Sequence, residues 1–131
     1  MSSDFLDLTP TVQIKLDNPL LPASYPSGGL VGAVIDTGYE GFVLVPRHVF
    51  RKLGLNQLPS ETRKLAMANG SPSRTKGTYA VLQIPHISCR LDGFVETVAG
   101  LEEIIIGVEA LSRMKVVLDY CTNRVILEKC S

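Results

Sequence analysis

Asp36-Thr37-Gly38 is the tripeptide whose residue types could do chemistry, because it sets a carboxylate between two apolar runs, Leu30–Ile35 and Phe42–Val45. Asp and Gly are also ordinary turn formers, since the Asp side chain accepts nearby backbone N–H groups and Gly bends without steric cost. The same residues therefore suit either a simple connection or a catalyst that needs a fixed carboxylate as general acid and base. Other parts of the chain bear on the choice. The flanking apolar strands would hold the carboxylate at the base of a cleft. A later hairpin with its tip near Asn69-Gly70-Ser71 could fold over that cleft as a lid. The aliphatic run Ile104-Ile105-Ile106-Gly107 leads directly into a short helix.

The 131 residues suit one domain, 1–131, large enough to bury one core. An apolar fraction of 45% beside 20% charged residues is that of a soluble globular chain. Thirteen basic and thirteen acidic side chains cancel without a long run of one sign, which argues against nucleic-acid or acidic-membrane partners. The start, MSSDFLDLTP, carries acids and lacks the basic-then-apolar order of a signal peptide. Pro19, Pro22 and Pro26 break the uncharged run Asn18–Ile35, so no membrane span is expected and the expected location is cytoplasmic. Cys89, Cys121 and Cys130 lack the paired Cys/His spacing of a zinc site and read as reduced thiols. No metal and no cofactor are expected.

Strict alternation over Val12–Asp17 predicts a strand with one buried face. Residues 18–27 form an irregular connection; Leu30–Ile35 is an inner strand and Phe42–Val45 its neighbour. Pro46 opens a short helix that Gly54 ends. Leu65–Ala68 and Lys76–Ile84 form a hairpin with an extended tip, and Cys89–Val98 is a further strand. Ile104–Ile106 is a buried strand followed by a helix over Val108–Met114, and Val116–Tyr120 with Arg124–Glu128 make the terminal hairpin. The sum is mainly β with two short helices, a closed barrel or a sandwich. His48 and His86 read as surface residues, and the NGSPS segment lacks the Lys of a phosphate-binding loop.

The order Ile35-Asp36-Thr37-Gly38, a hairpin, then Ile-Ile-Gly and a helix resembles the retropepsin-like aspartic proteases over roughly residues 10–128. It is closer to the cellular prokaryotic and archaeal members than to the viral ones. The shared features are Tyr39-Glu40-Gly41-Phe42 running into Leu44-Val45-Pro46, and Leu118-Asp119-Tyr120 in the terminal hairpin. The resemblance implies a retropepsin-like closed β-barrel that hydrolyses peptide bonds in extended polypeptides. Such chemistry needs two carboxylates sharing a proton. Asp92 precedes Gly93-Phe94 and Asp119 precedes Tyr120-Cys121, so neither repeats the motif, and the second carboxylate would come from a homodimer.

Residue by residue, the resemblance makes Asp36 the catalytic acid and base. Thr37 would bond across the dimer, Gly38 would admit the substrate backbone, and Gly107 would pack behind the catalytic loop. Asn69, Gly70 and Ser71 would form the flap over the substrate. Tyr39 would either narrow a substrate pocket or cover the dimer edge. A rival reading keeps the fold but has it bind peptides or serve assembly without cutting. A phosphate-handling domain built on Asp36 would lack a glycine-rich cradle and a second acidic metal ligand.

Overall fold

The computed structural model describes residues 4–66 and 72–130, so the expected flap tip at Asn69, Gly70 and Ser71 lies outside the described residues. The chain begins with β1 (Phe5–Leu6) and β2 (Thr9–Asp17), which pair antiparallel. The alternation foreseen for β2 holds, with Ile14 and Leu16 buried and Gln13 exposed between flanking residues. β3 (Ser24–Tyr25) and β4 (Val31–Ile35) both add to β2 in antiparallel register. β5 (Val43–Val45) is buried along its whole length and leads through Pro46 into α1 (Arg47–Lys52). This helix has only six residues, too few to persist alone. It is held by Val49 and Phe50, which enter the core; each such buried side chain is worth about 1.5–3 kcal/mol. Gly54, at φ +69°, takes the left-handed turn after it.

β6 (Glu61–Ala66) and β7 (Pro72–Ile84) form the hairpin that the sequence suggested, with longer strands than the apolar runs alone defined. β7 continues against β8 (Cys89–Thr97) from Lys76 to Ile84. β9 (Ile105–Ile106), α2 (Val108–Leu111), and the hairpin of β10 (Met114–Asp119) and β11 (Arg124–Lys129) complete the chain. Among the described residues the main sheet has nine strands, in the path β1-β2-β4-β9-β5-β8-β7-β6 with β3 on β2, and β2 pairs β7 as well.

One expectation is corrected. Phe42–Val45 does not neighbour Leu30–Ile35, because β9 lies between them, parallel to β4 and antiparallel to β5. Ile104 and Ile106 are buried. So apolar a strand is more stable inside a sheet than at an exposed edge, and residues 36–42 are long enough to loop around it.

The terminal hairpin is a separate two-stranded sheet with two unlike faces. Met114 and Leu127 join the core, whereas Val117 and Ile126, opposite each other in register, are 39% and 48% exposed. The start of the chain is fastened to this hairpin. The Asp4 carboxylate accepts the Val125 N–H at 2.8 Å and Arg124 Nε at 3.2 Å, and the Phe5 ring meets Tyr120 edge to face at 4.9 Å.

Candidate active site

Asp36 follows the last residue of β4, so its position is set by the ladder between β4 and β9. Its N–H donates to the Ile106 carbonyl at 3.0 Å. The turn beyond is closed internally: the Gly38 N–H donates to Asp36 Oδ1 at 2.8 Å and the Tyr39 N–H to the Asp36 carbonyl at 3.2 Å. Asp36 is half-buried, and Thr37 and Gly38 are exposed. The Asp36 backbone is thus anchored to the sheet, while its half-buried carboxylate accepts the N–H of the exposed Gly38, leaving it partly open to solvent, as a general acid or base that meets substrate must be.

The loop that follows rests on the turn into α2. Gly107, Val108 and Glu109 donate their N–H groups to the carbonyls of Phe42, Tyr39 and Gly41 at 2.9, 2.8 and 3.1 Å. A Cβ on Gly107 would lie 2.2 Å from the Gly41 carbonyl oxygen and 2.6 Å from that of Tyr39. Only glycine permits backbones to approach this closely. The structure thus brings Gly107 together with the Asp36–Phe42 loop.

Tyr39, expected to face substrate or the dimer edge, instead turns inward and is buried. Its ring lies over Gly41, where a Cβ would come within 2.5 Å of the phenol carbon Cζ. Its hydroxyl donates to Glu96 Oε2 on β8. Glu96 is fully buried and also accepts Arg63 Nη2 at 2.5 Å, Arg63 Nε at 3.3 Å and Thr75 Oγ1 at 2.5 Å. Arg63 and Thr75 face each other across the β6–β7 hairpin, and the Arg63 guanidinium also lies 4.7 Å from the Phe94 ring centroid.

Burial alone would favour neutral Glu96, but the donors Arg63, Thr75 and Tyr39 outweigh it and hold the carboxyl below its usual range. Burial, and next the hydrogen bond to Glu96, push the Tyr39 phenol well above its ordinary value. The hub is therefore an ionised acid surrounded by donors. It joins the loop after Asp36 to the base of the hairpin. Sequence reasoning passed over Glu96, Arg63 and Thr75; the one local sign was an acid at 96 directly after the apolar pair Phe94-Val95 in a strand.

The remaining candidates lie apart. His48 is exposed and meets the Tyr25 ring edge to face, and His86 is exposed on the turn Pro85–Ile87. Cys89, Cys121 and Cys130 are free thiols. Asp119 accepts the Cys121 and Thr122 N–H groups at 3.0 and 3.2 Å; its bonds with Thr122 chiefly lower its carboxyl, and it shapes the last turn. No group of three or more metal-ligating side chains occurs among the described residues, nor is any described helix long and apolar enough to cross a membrane.

Comparison with known proteins adds two kinds of likeness. The chain is 44% identical over 126 residues to an uncharacterized protein of Archaeoglobus fulgidus, covering 96% of this chain and 98% of that one. Among solved structures it is similar to EIAV protease complexed with the inhibitor HBY-793, with TM-score 0.56 and 12% identity over 82% of this chain and 88% of that one. It is also similar to the retroviral protease-like domain of Ddi1 from Leishmania major, with TM-score 0.51 and 15% identity over 89% and 87% of the two chains. At such identities the likeness is one of fold. No model of a known protein family matches the chain.

Proposed function

Because the chain belongs to one family with the uncharacterized Archaeoglobus fulgidus protein and has a retropepsin-like fold, we propose that it is an aspartic endopeptidase active as a two-fold homodimer. The observation that carries the reading is the clamped loop: Asp36 hangs from the Ile106 carbonyl, closes its own turn through Gly38, and presents its outer side beside the exposed Thr37. The pairing of β2 with β7, which joins two strands far apart in the sheet path, supports reading the sheet as a closed barrel. The outward apolar pair Val117 and Ile126 supports burial of the terminal hairpin against a second copy.

In the dimer, two Asp36 carboxyls face each other across the axis and share one proton, since both cannot ionise at contact distance. The ionised one takes a proton from a water whose oxygen bonds to the peptide carbonyl carbon. The protonated one gives its proton to the carbonyl oxygen, forming a gem-diol. Collapse then breaks the C–N bond as the protonated carboxyl hands its proton to the departing nitrogen and the ionised one takes a proton from a gem-diol hydroxyl, releasing an amine and an acid and restoring the shared proton. Thr37 braces the two loops across the axis, Gly38 lets the substrate backbone come close, and Gly107 keeps the loop from sinking inward.

Cleavage of a denatured protein across about pH 3 to 7, the range in which carboxyl dyads work, tests this with wild type and Asp36→Asn. Wild type cuts and the variant does not. Equal cutting by both removes Asp36 from the mechanism, and cutting by neither favours a peptide-binding role for the same fold.

A further inference from the structure

A second site lies on the other face of the strands that hold Glu96. Successive side chains of a strand point to opposite faces, so Thr97 faces away from the Glu96 hub. Thr97 pairs with Lys76, and Lys76 with Thr62, so the three share one face, with Arg74 two positions along β7 on the same side. α1 closes over this face. Between them lies a cavity of about 290 Å³ lined by Arg47, Arg51, Arg74, Lys76, Phe50 and Thr97, among others.

Two independent observations point to a ligand there. Among the described residues the lining contains four cations, each exposed on its solvent side, and no carboxylate, and none of the four is within ion-pairing distance of an acid. The nearby Glu96 is on the opposite face and is engaged by Arg63. In a chain of net charge zero, four unpaired cations around one cavity make a local positive potential that attracts an anion, most strongly at low salt because these side chains are exposed. Secondly, Thr97 is 7% exposed, and its hydroxyl is the buried side-chain polar atom left without a hydrogen-bond partner among the described residues. A buried hydroxyl in that state is destabilising unless a ligand satisfies it.

We propose that this cavity binds a small tetrahedral oxyanion, orthophosphate or the phosphate group of a monoester, held by the guanidiniums of Arg47, Arg51 and Arg74, the Lys76 ammonium and the Thr97 hydroxyl. Arginine forks match phosphate oxygens, and the cavity is at the small end of ligand sites, which suits a phosphate and not a nucleotide. The anion would tie α1 to the base of the β6–β7 hairpin. The site is independent of the peptidase reading and does not involve Asp36.

The test is titration of the full chain with orthophosphate and, separately, phenyl phosphate at constant ionic strength, followed by calorimetry and by the melting temperature. Saturable binding is expected. It should weaken about tenfold in Arg74→Gln and in Thr97→Val, as one charge-assisted hydrogen bond is lost in each, and stay unchanged in Lys115→Gln on the far hairpin. Tighter binding of orthophosphate identifies the free ion as the ligand; tighter binding of phenyl phosphate identifies a monoester. In phosphate-free buffer Thr97→Val should melt at or above the wild-type temperature, because it removes an unsatisfied hydroxyl, yet gain less than wild type from the same concentration of phosphate. Absence of saturable binding to either probe, or equal weakening in Lys115→Gln, overturns the proposal.

Discussion

The Tyr39 hydroxyl donates to the buried carboxylate of Glu96, and through that one acid the residue after Gly38 is joined to both strands of the β6–β7 hairpin. The loop after Asp36 and the base of the hairpin are thereby tied to one another. Here a charge ties them where packing alone would leave freedom to slide. A buried carboxylate with satisfied donors has a defined position, because every displacement strands a donor or an acceptor away from water.

Replacing Glu96 by Gln should therefore be costly and should change the acid stability of the protein. The Arg63 guanidinium is partly solvated and can turn to water, but the buried Tyr39 and Thr75 hydroxyls lose a carboxylate acceptor, which costs about 1–3 kcal/mol, readable as a lower urea midpoint with an unchanged slope. The folded-state Glu96 carboxyl lies below its unfolded value, so the unfolded chain binds more protons. Its stabilisation is present above the unfolded value of about 4.3 and is lost as pH falls through the folded one. Wild type should thus lose stability below about pH 4 more steeply than Glu96→Gln. Parallel pH profiles for the two would show that the hub does not govern acid unfolding.

Much of this arrangement was legible in the chain where the informative residues are adjacent. Asp36-Thr37-Gly38 and Ile104-Ile105-Ile106-Gly107 are short contiguous signals, and in the fold Gly107 lies against the backbone of the loop after Asp36. The alternation of β2 marked its buried face because a strand's period of two is a local property. The insertion of β9 between β4 and β5 was hidden, since pairing partners far apart in sequence leave no local periodicity. Glu96 was hidden for a similar reason: its donors at 39, 63 and 75 meet only through folding. The cationic cavity was masked by a net charge of zero, with Arg47 and Arg51 on one element and Arg74 and Lys76 on another.

Gly107→Ala tests the contact between the turn and the loop. The added methyl would lie 2.2 Å from the Gly41 carbonyl oxygen and 2.5 Å from the Tyr39 ring, so backbone as well as side chain must move. Overpacking against side chains alone costs about 1–3 kcal/mol, and rigid backbone puts this change at the upper end or above. A melting temperature within error of wild type would show that the loop yields freely.

The terminal hairpin makes a separate prediction. Val117 and Ile126 form a cross-strand pair on its outer face, and a hydrophobic pair left in water gains by burial in a dimer. The wild-type mass in solution should be near twice 14.2 kDa. The double change Val117→Lys and Ile126→Lys sets two like charges opposite each other, which should shift the mass to that of a monomer without unfolding the core-facing side. Light scattering after gel filtration reads both. A dimer that survives the double change would place its interface elsewhere.

Mixing wild type with Asp36→Asn separates a shared site from two independent ones. If each active centre needs Asp36 from both subunits, subunit exchange at equal amounts leaves about a quarter of the dimers with two carboxylates, by random pairing in a two-fold assembly. The mixture should then cleave at about a quarter of the rate of pure wild type at the same total protein concentration. A chain that acts alone would retain half, since each wild-type copy keeps its full activity whatever its neighbour. Exchange is confirmed beforehand by tagging one component and recovering the mixed dimer. The difference between a quarter and a half decides whether Asp36 of one copy works against Asp36 of the partner subunit.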